Sequence, residues 1–156
     1  MRKIRVALNG FGRIGRQVFK IMWNEFPQLE IAAIGVTEPN RTATRAILLK
    51  YDSTYGEFAP SVEPLSEGKR NALVVDGKEI PVIARLDRYG PLRWSYFDID
   101  VVIDATGYCR TGELAQRHIE EGARKVIVTM PMVGEDLTVI MGLNHNAYDP
   151  EKHHVL

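Results

Sequence analysis

A glycine-rich segment near the amino end constrains the fold of this chain more than any other feature. Residues 10–15 read Gly-Phe-Gly-Arg-Ile-Gly, between a short apolar run at 4–8 and helical spacing at 15–26. A second apolar run follows at 29–34. Glycines at this spacing between a strand and a helix are typical of the turn that opens a β-α-β unit. The segment therefore predicts strand, tight turn, helix and strand in that order.

The rest of the chain predicts further strands and helices around one interruption. Alternating apolar residues on either side of Asp76-Gly77 predict an antiparallel hairpin of residues 72–75 and 78–84. Unbroken apolar runs at 101–103 and 126–128 are typical of central parallel strands. We expect helices at 40–50 and 111–122, and strands at 98–105, 125–129 and 138–143. Asn40 would cap the first of these helices, whose predicted buried face is Ala43, Ala46, Ile47 and Leu49. The pattern predicts an α/β fold, a Rossmann-type doubly wound, mostly parallel sheet with an antiparallel hairpin insertion.

Composition narrows the class of partner. The 156 residues carry 20 Lys and Arg against 20 Asp and Glu, so the formal net charge is zero. A chain without net positive charge has no overall attraction for a nucleic acid or an acidic membrane. No apolar run approaches the length of a membrane span. One cysteine, Cys109, excludes an internal disulfide and a cysteine-rich zinc site, and suits a reducing compartment such as the cytoplasm.

The glycine turn suggests a ligand as well as a fold. Gly10 permits the tight turn, Gly12 lets the backbone approach a pyrophosphate, and Gly15 lets helix and strand pack closely. The backbone N–H groups of Arg13 and Ile14 would then face the ligand at the positive end of the helix. A turn that only shapes the fold is the alternative, but the flanking strand and helix favour a dinucleotide.

The choice between NAD and NADP stays open in the sequence. An acidic residue that binds the adenosine ribose is expected about 20 positions on, at the end of the second strand. Position 36 is Val36, and Glu38 is the nearest carboxylate. If Glu38 binds the ribose hydroxyls, the site prefers NAD; if it points away, Thr37 and Arg41 could accept a 2′-phosphate, and NADP becomes usable.

Two later strand ends add candidate cofactor contacts, whereas catalytic candidates are poor. Ala105-Thr106-Gly107 and Thr129 follow predicted parallel strands, where doubly wound sheets bind ligands. Cys109 lies just past the first of these ends but needs a base or a helix end to lower its pKa, and the helical periodicity does not direct His118 to that loop. We therefore assign no catalytic residue and no metal ligand.

Several segments together resemble the amino-terminal half of glyceraldehyde-3-phosphate dehydrogenase. They are RVALNGFGRIGR at 5–16, LLKYDSTYG at 48–56, ATG at 105–107, GARKVIV at 122–128 and MGLNH at 141–145. Erythrose-4-phosphate dehydrogenase, a sister activity, shares most of them. The resemblance implies an NAD(P)-binding domain over residues 1–156. It implies cofactor contacts from Gly10, Gly12, Arg13, Ile14, Thr106, Gly107 and Thr129, places Asn9 in the same turn, and makes Arg88 the best match for an arginine beside the adenosine. The residue patterns above add Phe11, Gly15, Glu38 and Ala105 to these candidate cofactor contacts.

The sequence departs from the family in three places. The family's Asn-Asp pair after the second strand corresponds to Gly35-Val36, and an aromatic residue after Thr-Gly is replaced by Cys109. In the family, a segment like residues 153–156 continues into Ser-Asn-Ala-Ser-Cys, which carries the catalytic cysteine. The resemblance thus implies that this chain binds the cofactor of a phosphorylating aldehyde dehydrogenase but lacks its nucleophile and its catalytic domain. It also implies that the full-length protein is a homo-oligomer. A standalone nucleotide-sensing or interaction module is the alternative.

Overall fold

The elements alternate along the chain as the apolar pattern predicts. A computed structural model describes residues 2–68, 70–84 and 90–156. Its strands and helices, in chain order, are β1 (Ile4–Asn9), α1 (Arg13–Glu25), β2 (Leu29–Val36), α2 (Thr42–Lys50), β3 (Tyr51–Asp52), β4 (Gly56–Glu57), β5 (Val62–Glu67), β6 (Arg70–Val75), β7 (Lys78–Ala84), β8 (Val101–Asp104), α3 (Gly112–Glu120) and β9 (Lys125–Val128).

Seven of these strands form one sheet. Its order is β5-β6-β7-β2-β1-β8-β9, and every neighbouring pair from β7 to β9 is parallel. The chain runs from β1 to β2 on one side and later returns to place β8 on the other side of β1. This reversal is a topological switch point, and it confirms the predicted Rossmann-type doubly wound sheet.

The antiparallel insertion is also confirmed. β6 and β7 pair across the turn at Asp76 and Gly77, whose φ angles of 47° and 77° are those of a tight hairpin turn. β5 pairs antiparallel with β6, and β7 joins the main sheet through parallel pairing with β2. The insertion therefore extends the sheet instead of forming a separate unit.

Side chains from β1 enter two separate clusters, so the sheet is covered on both faces. Val6 and Leu8 pack with Phe19 and Leu49 of the first two helices, whereas Ala7 packs with Trp94 and its neighbours. Alternate residues of a strand point to opposite faces. This arrangement explains the unbroken apolar run of β8, which packs in both clusters. The prediction that residues 126–128 form a central strand is wrong, because β9 is the last strand in the sheet order and its Ile127 is 39% exposed.

Helix α2 differs from its prediction in start and buried face. A 3-10 turn, Pro39–Arg41, precedes it, so the helix begins at Thr42 instead of Asn40. Thr42, Ala46 and Leu49 are buried, whereas Ile47 of the predicted face is 60% exposed. The preceding 3-10 turn and the packing against β5 and β6 set the rotation of this short helix.

The strand predicted at residues 138–143 is wrong. Asn144 turns this segment, because its Oδ1 accepts from the backbone N–H of Ile140 and its Nδ2 donates to the carbonyl of Thr138. Residues 154–156 lie beside β9 instead, with a parallel bridge between Val126 and Val155. No helix in the described ranges is long and apolar enough to cross a membrane.

Candidate cofactor site

A cleft of about 420 Å³ lies at the carboxyl ends of β1, β2 and β8, at the switch point of the sheet. Ligands of doubly wound sheets bind at this position. The cleft is lined by Asn9, Gly10, Phe11, Gly12, Gly35, Val36, Thr37, Glu38, Arg41, Arg45, Asp104, Ala105, Thr106, Tyr108, Cys109, Leu114, Arg117 and His118.

The three glycines of the turn differ in what surrounds them. A Cβ on Gly15 would lie 2.2 Å from the carbonyl oxygen of Gly10, so helix and turn touch there. Gly10 has a φ of 93°, and a Cβ on it would meet the backbone of residues 105 and 106. A Cβ on Gly12 would meet nothing within 4 Å. The fold therefore requires Gly10 and Gly15, whereas the position of Gly12 leaves space open beside the cleft.

The amino end of α1 borders this open space without a capping side chain. Gly12 is the N-cap residue, and among the described residues no side chain caps the helix and no carboxylate lies in its first turn. The first hydrogen bond of the helix runs from the backbone N–H of Arg16 to the carbonyl of Gly12. A helix start without a side-chain acceptor favours an anion beside its N–H groups.

A buried carboxylate organises the β1 and β8 edge of the cleft. Asp104 is 3% exposed and accepts hydrogen bonds from Asn9 Nδ2 at 2.6 Å and His118 Nε2 at 3.1 Å on one oxygen. Its other oxygen accepts from the backbone N–H of Thr106 at 3.0 Å and from Thr106 Oγ1 at 2.6 Å. Burial acts to raise the pKa of Asp104, but the bonds from His118 and Thr106 outweigh it and hold that pKa below its ordinary value.

His118 belongs to this site, so the prediction that its helix directs it elsewhere is wrong. It is 2% exposed, lines the cleft, and accepts at Nδ1 from the indole N–H of Trp94 at 2.9 Å. An indole nitrogen only donates, so Nδ1 must be unprotonated and Nε2 must carry the proton given to Asp104. Helix α3 packs on β9, and this packing turns His118 inward, toward Asp104 at the end of β8.

The opposite end of the cleft lies at β2 and the start of α2, and two arginines line it against one carboxylate. Glu38 forms an ion pair with Arg41, with 2.6 Å between Oε2 and Nε. Arg45 lines the same end, and its Nη1 is buried without a hydrogen-bond partner among the described residues. Val36 occupies the position at the end of β2 where a ribose-binding acid is expected, and it is 6% exposed.

The cleft brings together about half of the residues expected to contact a cofactor. Asn9, Gly10, Phe11, Gly12, Glu38, Ala105 and Thr106 line it. Arg13, Ile14, Gly15, Gly107 and Thr129 are outside its lining, although the first three begin α1 and Gly107 follows Thr106 directly. Arg88 lies outside the described residues.

Several lining residues were missed by sequence reasoning, and only some of them carried a signal. Arg45 lies four residues after Arg41, a spacing that places both on one side of a helix. Tyr108 is adjacent to the Thr-Gly segment and is 56% exposed in the cleft. Asp104 directly precedes Ala105, but only its four donors reveal its role.

Comparisons with known proteins agree with this geometry. The family model described as glyceraldehyde 3-phosphate dehydrogenase, NAD binding domain, matches residues 4–112. Glyceraldehyde-3-phosphate dehydrogenase of Thermotoga maritima is 45% identical over 94% of this chain and 42% of its own length. That of Geobacillus stearothermophilus is 42% identical over 98% of this chain and 43% of its own length. The chain therefore spans less than half the length of these curated relatives. With its glycine turn at the switch point of a Rossmann-type sheet, this chain belongs to the glyceraldehyde-3-phosphate dehydrogenase family, within the part of it described as the NAD-binding domain.

Proposed function

We propose that the cleft binds NAD, with the pyrophosphate beside Gly12 and the amino end of α1. The observation that carries this proposal is the open space at Gly12, where the fold would accept a Cβ and the sequence has none. The uncapped start of α1 supplies N–H donors and a positive partial charge at the same place. A ligand that approaches the backbone closely accounts for a glycine that the fold itself does not need.

The other expected cofactor contacts fall on either side of the pyrophosphate position. Thr106, Gly107 and Thr129 are assigned to the nicotinamide side, because they follow the parallel strands β8 and β9. Glu38 and Arg88 are assigned to the adenosine side. Cys109 stands where the family has an aromatic residue. The neighbouring Tyr108 supplies an exposed aromatic ring in this segment instead.

Asn9 and Phe11 support the turn from inside. Asn9 is 3% exposed and donates to Asp104, while the ring of Phe11 packs edge-on against Phe19 at 5.8 Å between centroids. Asn9 thereby ties the end of β1 to the end of β8, and Phe11 anchors the turn on α1. Both are assigned to holding the turn where the cofactor would bind.

We further propose that residues 1–156 act as the cofactor-binding domain of a phosphorylating aldehyde dehydrogenase that is a homo-oligomer. NAD supplies the hydride acceptor for such an oxidation. The chain's own thiol, Cys109, is 5% exposed and packs with Ala115, Val126 and Val155, which does not fit an accessible nucleophile. Incubating the chain with glyceraldehyde 3-phosphate, phosphate and NAD should give no turnover above background.

NADP is the second candidate cofactor, and specific residues favour it. The end of β2 offers no carboxylate at Val36 to repel a 2′-phosphate, and Arg41 and Arg45 line the same end of the cleft.

Calorimetric titration of the chain with NAD tests the cofactor proposal. The unaltered chain should bind NAD at one site, and Gly12→Val should bind it at least about tenfold more weakly, since the branched side chain fills the space for the pyrophosphate. The circular dichroism spectrum of Gly12→Val should match that of the unaltered chain. Equal affinity of the two proteins for NAD would contradict the placement of the pyrophosphate, and no binding to either would contradict the function.

A further inference from the structure

We propose that Arg45, together with Arg41, forms a subsite for a 2′-phosphate at the β2 end of the cleft, so that the site that binds NAD binds NADP more tightly. The inference rests on the proposed dinucleotide site and concerns the adenosine end of it. The sequence indicates Thr37 and Arg41 as candidates for this role; the structure adds Arg45 and the pairing of Glu38 with Arg41.

The end of β2 offers no acid to bind the ribose hydroxyls. Gly35 is required by packing, because a Cβ there would lie 2.9 Å from Asn9 Oδ1 and from Leu92 Cδ1. Val36 is buried among the core residues of β1 and β7. A carboxylate at this strand end binds the hydroxyls of NAD and repels a 2′-phosphate. Its replacement by valine removes both effects.

Glu38 is already paired. Its carboxylate contacts Arg41 through the 2.6 Å ion pair, and both side chains are more than half exposed. A carboxylate whose charge is matched by an adjacent guanidinium repels a second anion less than a lone carboxylate does. Glu38 therefore does not exclude phosphate from this end of the cleft.

Arg45 supplies a cation in excess of this pair. It lies one helical turn beyond Arg41 in α2, lines the cleft, and is partly buried. Two guanidinium groups thus face one carboxylate in the lining of this end. Burial lowers the pKa of Arg45, and Glu38 opposes that change, but a guanidinium stays protonated in proteins.

The guanidinium of Arg45 has a buried donor that lacks an acceptor, and a phosphate oxygen could be that acceptor. Its Nη1 is buried and makes no hydrogen bond to any described residue. Buried donors in folded proteins are nearly always paired, and a partly buried cation is stabilised by an anionic acceptor. The planar fork of arginine matches phosphate oxygens in geometry and charge. A 2′-phosphate at this end of the cleft supplies such an acceptor.

The experiment compares fragments of the two cofactors that differ only at the 2′ position. The chain is titrated calorimetrically with 5′-AMP and 2′,5′-ADP, and then with NAD and NADP. We expect 2′,5′-ADP to bind about tenfold more tightly than 5′-AMP, the effect of one charge-assisted interaction, with the same ranking for NADP over NAD. Arg45→Gln should bring each ratio to about one by weakening only the phosphorylated ligand.

Three further variants sharpen the test. Arg41→Gln should lower the 2′,5′-ADP to 5′-AMP preference by a few fold, and Glu38→Gln should raise it, because the remaining carboxylate no longer opposes the phosphate. Lys3→Gln is the matched control: it removes one positive charge just before β1, at the amino ends of the parallel strands and so on the opposite side of the sheet from the cleft. It should leave the preference unchanged. If Arg45→Gln does not fold, the ratio in the unaltered chain and the Glu38→Gln response decide.

The results separate this inference from the proposed function. Binding of 5′-AMP and NAD with equal or weaker binding of 2′,5′-ADP and NADP overturns the phosphate subsite and leaves the dinucleotide site intact. A preference for 2′,5′-ADP that Arg45→Gln does not change overturns the role of Arg45. Failure of all four ligands to bind overturns both.

Discussion

The indole N–H of Trp94 donates to Nδ1 of His118 across 2.9 Å in the interior of the protein. Both residues are essentially inaccessible, with 0% and 2% of their surface exposed. His118 Nε2 in turn donates to Asp104, which also accepts from Asn9 and Thr106 and so fixes both at the β1 and β8 edge of the cleft. The orientation of two cofactor-side residues therefore depends on a tryptophan outside the cleft lining.

Replacing Trp94 with phenylalanine should destabilise the fold more than the lost volume alone predicts. The variant leaves Nδ1 of His118 buried without a donor, which costs about 1–3 kcal/mol in addition to the packing loss. Trp23→Phe is the matched control, since Trp23 packs by stacking on Phe19. Urea unfolding measures both variants; equal losses of unfolding free energy would show that the Trp94 hydrogen bond contributes nothing.

Asp104→Asn should lower stability at neutral pH by about 2–4 kcal/mol. The carboxylate accepts from donors on both oxygens, and an amide would direct its own N–H groups at two of these donors. Asp98→Asn, at a carboxylate that is 66% exposed, is the control and should change unfolding free energy by less than about 1 kcal/mol. Comparable losses in the two variants would argue against the central role of Asp104.

The stability lost in Asp104→Asn should depend on pH. Because the pKa of Asp104 is lower in the folded protein, ionised Asp104 stabilises the fold at every pH above its ordinary value of 3.8. This contribution is lost as the pH falls below that value through the folded pKa. The gap in unfolding free energy between the unaltered chain and Asp104→Asn should therefore be constant from pH 7 to about pH 5 and narrow in more acidic buffer. A gap that widens on acidification would contradict the direction of the shift.

Replacing Gly15 by alanine should destabilise the fold, whereas replacing Gly12 by alanine should not. Gly15→Ala places a Cβ against the carbonyl of Gly10 and should lower the unfolding free energy by more than about 2 kcal/mol. Gly12→Ala meets no atom and should change it by less than about 1 kcal/mol. Thermal and urea unfolding of the two variants check this contrast. Similar losses would mean that the fold, not a ligand, requires glycine at position 12.

Cys109 should prove to be a packing residue. Because it is 5% exposed within the cluster of Ala115, Val126 and Val155, Cys109→Ala should cost about 1 kcal/mol of unfolding free energy and leave NAD affinity unchanged within about twofold. A thiol reagent should modify the native chain much more slowly than the chain in urea. Rapid modification of the native chain, slowed by NAD, would instead show an accessible thiol at the cofactor.

The sequence alone determined the main features of the fold, because each is a local property. The spacing of Gly10, Gly12 and Gly15 between a strand and a helix predicts the β-α-β unit, and the unbroken apolar runs of β8 and β9 predict strands covered on both faces. The Asp76-Gly77 turn predicts the hairpin of β6 and β7 in the same way. These signals require only near neighbours along the chain. The β-α-β unit, the hairpin and the coverage of β8 on both faces are confirmed. The same prediction is wrong for β9, which is the last strand in the sheet order and leaves Ile127 39% exposed.

Only the tertiary structure decided which polar side chains meet. Asn9, Trp94, Asp104 and His118 come from four separate segments, and no spacing along the chain relates them. Likewise, the pairing of Glu38 with Arg41, and the burial of Arg45 beside them, depend on how the 3-10 turn sets the start of α2. The rotation of short helices is set by packing against the sheet, which is why the sequence mispredicted the exposure of Ile47 and the direction of His118.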